Sequence, residues 1–149
     1  MSTDPRASDR PRDYVPLALI GLAAGVTAGT ALTVTAFWAV RSLQGDATAS
    51  PGATPELNSP TTWVFLVGSL GGVLTAAAVT WTLLSPIGST YRQGGMSLVA
   101  SFATIVVATV VAFPMETIAG RWGLLGAGLV AAVAAWRLAR AARRAAETA

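Results

Sequence analysis

Between Tyr14 and Val40 the chain carries no charged side chain. As a helix that stretch would reach about 40 Å, more than the roughly 30 Å of a bilayer's hydrocarbon core. Nothing else in the sequence limits the fold so strongly, because a soluble helix needs a polar face and this one has none. Two further runs have the same character, from about Thr62 to Leu84 and from about Gln93 to Met115. A fourth, Trp122 to Trp136, would give only about 22 Å. Arg121 and Arg137 bound it, and their stems can cover apolar depth while the guanidinium groups reach water.

Composition supports the bilayer as solvent. The chain is 53% hydrophobic and 11% charged, whereas soluble domains carry about 25% charged residues. Its net charge of +3 does not mark a nucleic-acid binder, since the basic residues lie between and beyond the apolar runs and form no groove-sized patch. All are arginine, which together with the abundant alanine is the bias of a GC-rich genome and points to a bacterial source. Cysteine and histidine are both absent. Their absence excludes disulfides, thiol redox centres, His-ligated haem, the usual zinc sites and Ser-His catalysis.

The expected fold is all-α, a four-helix transmembrane bundle with helices at about 15–41, 62–84, 93–115 and 119–142. Residues 1–13 read as a disordered tail, since they mix Arg6, Arg10 and Arg12 with acids and prolines and offer no apolar face. Residues 42–60, rich in Ser, Thr, Gly, Ala and Pro, read as a flexible outer loop, and 145–149 as a short tail closing the 14–144 domain. Ala47-Thr48-Ala49 resembles a signal-cleavage site, but the apolar run before it far exceeds the roughly 7–15 residues of a signal peptide. Ser85 to Met96, with Pro86, Gly88, Gly94 and Gly95, is expected to be a tight turn. Pro114 is expected to end or kink the third helix.

Orientation follows from charge. Four crossings place Arg6, Arg10, Arg12, Arg92, Arg137, Arg140, Arg143 and Arg144 on one side and only Arg41 and Arg121 on the other. By the positive-inside rule both termini are cytoplasmic, in a multi-pass protein of the cell (inner or plasma) membrane. Tyr14 and Trp38, Trp63 and Trp81, Tyr91 and Phe113, and Trp122 and Trp136 bracket the four runs as aromatic belts do.

Candidate site residues are few. Gly21, Gly25 and Gly29 recur every fourth residue, and Gly68 and Gly72 repeat that spacing on the second helix. Such faces let helix backbones approach closely, within one chain or between chains. Thr27, Thr30, Thr33 and Thr35 are expected to return their hydroxyls to the preceding turn. Glu116 and Arg121 form a candidate gating or transport pair. Tyr91, Arg92, Arg137, Arg140 and Arg144 are candidates for cytoplasmic docking. No catalytic, cofactor-binding or metal-ligating residue is assigned.

The functional expectation is a non-enzymatic accessory or scaffold subunit. Its partners would be the lipid bilayer and a second copy or a larger membrane complex, with no nucleic acid, and Gly21, Gly25 and Gly29 would be the contact face. The alternative is a small ion or solute transporter or channel. Glu116 and Arg121 would then stand at its outer mouth, with Ser97, Ser101 and Thr104 along the route.

Overall fold

The computed structural model describes residues 14–44 and 60–148. Over these residues the chain is helical: α1 (Val15–Gln44), α2 (Pro60–Leu83), a single 3-10 turn (Ser85–Ile87) and α3 (Thr90–Thr148). All three α-helices are long and apolar enough to cross a membrane. The expected tail at 1–13 and most of the expected loop at 42–60 lie outside the described residues, while Ser42 to Gln44 extend α1.

Local chemistry sets the ends. Pro60 opens α2 and Pro16 stands in the first turn of α1, positions where a missing N–H costs nothing. After α2, Ile87 N–H donates to the Leu84 carbonyl at 3.0 Å, and Gly88 adopts φ 71° to stop the 3-10 turn. The reversal is complete by Ser89, tighter than the expected Ser85–Met96 turn. Tyr91 to Gly95 are already helical, with Gln93 N–H donating to the Ser89 carbonyl at 3.0 Å. The Gln93 side chain explains its own burial, because its Nε2 donates back to the Ser85 carbonyl at 3.4 Å.

The long third helix departs most from expectation. Its 59 residues run through Pro114 and break instead at Gly120, where φ 57° and ψ −147° are non-helical. That region of backbone space is essentially glycine's alone. Proline removes one backbone hydrogen bond, a loss that packed membrane helices tolerate; an abrupt change of direction needs the left-handed φ. The break folds α3 back. Residues on both sides of it pack on α1 in one cluster formed by Val34, Ala108, Ala112 and Leu124. A second cluster joins Leu17, Leu84 and Ala142, with Met96 packed against it. The two arms of α3, 90–119 and 121–148, therefore run antiparallel along α1. The second arm continues to Thr148, so the tail expected at 145–149 is helical through that residue.

α1 is the hub. Of its most apolar window 44% is buried, against 11% for α2, and α2 and α3 each contact α1 more than they contact each other. Outward faces carry large apolar side chains, among them Leu66, Val67, Leu70 and Leu74 of α2 and Phe102, Val106 and Val110 of α3. In water such a surface would drive aggregation; facing acyl chains it costs nothing.

Candidate functional site

The seam between α1 and α2 is closely packed. A Cβ added at Gly25 would lie 2.7 Å from the Ala76 carbonyl oxygen, and one at Gly29 2.6 Å from that of Gly72. Reciprocally, a Cβ at Gly72 would lie 2.8 Å from the Gly29 carbonyl oxygen. Gly29 also stands where three helices converge, its missing Cβ falling 2.8 Å from both Ala76 Cβ and Thr104 Cγ2. Gly21 faces Leu84, and Gly68 faces Ala36. All five expected packing glycines thus face elements of their own chain. The Gly21–Gly25–Gly29 face is covered by α2 and by Leu84 beyond it, which corrects its expected use as a contact face for another chain.

Two threonines complete the seam. Thr80 Oγ1 fills the space beside Gly25 that a side chain would take, and Thr33 Oγ1 does the same beside Gly72. Both hydroxyls are buried with no hydrogen-bond partner, as are those of Thr30 and Ser97. Thr27 and Thr35 donate to the Ala23 and Ala31 carbonyls at 2.8 and 2.7 Å, as expected, but Thr30 and Thr33 do not return theirs. For Thr33 and Thr80 the glycine Cα–H groups are the near neighbours, contacts worth about 0.5–1 kcal/mol each. Across the α2–α3 contact, Ser101 Oγ donates to the Val73 carbonyl at 3.3 Å and to its own helix at Ser97 O, 3.0 Å. Thr104 donates to the Ala100 carbonyl at 2.8 Å.

Among the described residues, charge is confined to the two ends. At one end Arg41 Nη2 and Glu116 Oε1 are 2.5 Å apart, tying the last turns of α1 to α3 just before its break. Arg121 instead lies over the Trp122 ring, 5.6 Å from its centroid. The expected Glu116–Arg121 pair is thus replaced by Glu116–Arg41. Helix persists past Pro114, keeping Glu116 beside α1, and the turn at Gly120 redirects the backbone before Arg121. Sequence reasoning missed Arg41, although placing it and Glu116 at the same end was a usable signal. The side chains are 42% and 33% exposed, so solvent screens the pair. Glu116→Gln should cost less than about 1 kcal/mol, read as a small shift in a detergent thermal melt that shrinks further with salt.

The opposite end gathers the other described arginines. Tyr91 is 92% exposed and Arg92 is also exposed. On the second arm of α3, Arg137, Arg140 and Arg144 are exposed, and the Arg140 guanidinium lies 4.0 Å from the Trp136 ring centroid, a favourable cation–π geometry. Because Met96 and Ala142 pack on the same Leu17 cluster, the two arms bring these residues to one end of the molecule. A groove of about 450 Å³ opens there, lined by Tyr14, Val15, Ala18, Ile87, Tyr91, Arg92, Gly95 and Met96. Its residues come from distant parts of the chain, and nothing in the sequence pattern joins them.

Comparison with known protein families, with curated proteins and with solved structures finds no match to this chain.

Proposed function

We propose that the chain crosses the bilayer four times, both termini cytoplasmic, and serves as a non-enzymatic accessory or scaffold subunit of a membrane assembly. The count of four is supported by the fold-back of α3. A straight helix of its length would extend about 88 Å, nearly three times the hydrocarbon core. Folded at Gly120, each arm spans the same depth of α1. Orientation rests on the arginine bias, with the termini on the arginine-rich side.

The observation that carries the subunit reading is the closed interior. Backbone-to-backbone contact at Gly25, Gly29 and Gly72 joins α1 and α2 with no room for a side chain, and no charged residue lies at the centre of α1, of α2 or of either arm of α3. One face open to other chains is the outer side of α2, where Leu66, Val67, Leu70 and Leu74 are exposed. Purification of the tagged protein from its native membrane in mild detergent should recover a larger partner in fixed stoichiometry. A lone monomer, together with no crosslink between copies of Leu70→Cys in this cysteine-free chain, would overturn the reading.

One observation favours a small transporter or channel instead. Four buried hydroxyls without partners (Thr30, Thr33, Thr80 and Ser97) lie within a bundle that carries an ion pair at one end. On that reading, reconstituted liposomes show ion or solute flux that Glu116→Gln abolishes. Flux no greater than that of empty liposomes would count against it.

A further inference from the structure

We propose that the groove between the first turns of α1 and α3 binds one anionic glycerophospholipid. Its walls are apolar (Val15, Ala18, Ile87 and Met96), while Tyr14, Tyr91 and Arg92 supply its polar groups. A volume of about 450 Å³ is within the range of ligand pockets, and part of an acyl chain fits it. A Cβ built at Gly95 meets nothing within 4 Å, so the floor is open where that chain would lie.

Charge selects the headgroup. Arg92 is the one ionised side chain among the described lining residues. The carboxylates among the described residues are Glu116, held by Arg41 at the other end, and Glu147; neither lines the groove. A guanidinium forks two hydrogen bonds onto a phosphate, and the tyrosine hydroxyls can donate beside it. A zwitterionic headgroup would bring its cation to a groove with no carboxylate among its described lining residues. Basic pockets between membrane helices on the cytoplasmic side suit anionic headgroups for the same reason. The inference rests on the membrane reading and is independent of the subunit reading.

The test uses the full chain in nanodiscs of mixed phosphatidylglycerol and phosphatidylcholine, followed by native mass spectrometry of the lipid retained in mild detergent. Wild type should retain phosphatidylglycerol in preference to phosphatidylcholine. Arg92→Gln should reduce that preference about fivefold, the factor one arginine contributes near an anionic surface. Gly95→Leu fills the groove without meeting protein atoms at its Cβ, so it should lose retained lipid while keeping a wild-type melt. Equal retention of both lipids by wild type would overturn the proposal. So would unchanged retention in folded Arg92→Gln and Gly95→Leu, or an equal loss in Arg143→Gln, which would mark general attraction to the arginine-rich end. Failure of the chain to enter nanodiscs at all would instead sink the membrane reading beneath it.

Discussion

Gly25→Leu should unfold the bundle, because it fails at the seam and not at an outer surface. Its Cβ would collide with Thr80 Oγ1 and sit 2.7 Å from the Ala76 carbonyl oxygen. Backbone cannot yield as a flexible side chain can, so α1 and α2 must separate. Separation undoes the Gly29–Gly72 approach as well and exposes the buried Thr33 and Thr80 hydroxyls. A cost of about 3 kcal/mol, the upper end for overpacking, is expected in a thermal or SDS-induced unfolding series in mild detergent. Gly71→Ala is the matched control. Its Cβ would meet only Leu32 Cδ2 at 3.4 Å, an ordinary contact, and its melt should stay within about 0.5 kcal/mol of wild type. A Gly25→Leu protein that melts like wild type but changes oligomeric state would return this glycine to an intermolecular surface.

Gly120→Val is the second large effect. Valine at φ 57° and ψ −147° is strained by at least about 1–3 kcal/mol, and its β-branch worsens the clash. Continued helix relieves the strain, but continued helix carries the second arm away from α1, removing Leu124 and Ala142 from their clusters. The expected result is a chain that inserts yet fails to close. Since the protein has no cysteine, Tyr14→Cys with Ala145→Cys gives a clean probe; both positions pack on the Leu17 cluster. A short bis-maleimide should link them in the parent and not in Gly120→Val. Efficient linking in both would show that the arms meet without the glycine.

Much of this architecture was legible in the sequence because bilayer chemistry writes in long, coarse signals. Charge-free runs marked the helices to within a few residues at α1 and α2. Finer features depended on geometry that a linear pattern does not carry. Pro114 is the stronger textual signal for a break, yet a missing hydrogen bond bends a helix where a left-handed φ reverses it. Glu116 was assigned its sequence neighbour Arg121, whereas the fold supplies Arg41 from another helix. The glycine repeat showed that something approaches α1 closely, but an internal and an external partner demand the same spacing. Tyr91 and Arg92 were legible as docking candidates, but the groove they line was not, being assembled from α1, the 3-10 turn and α3.

The central position of α1 has a consequence for how the protein is made. Domains tend to fold in the order of synthesis, and here the helix made before α2 and α3 is the one that both must dock against. Until α2 emerges, the nascent α1 presents its glycine groove and its unpaired threonine hydroxyls to lipid or to the insertion machinery. α2 then covers that groove, and the first arm of α3 meets both helices at Gly29. The second arm arrives last, onto a surface already built. α1 is thus a template for α2 and α3, and errors in it are inherited by both.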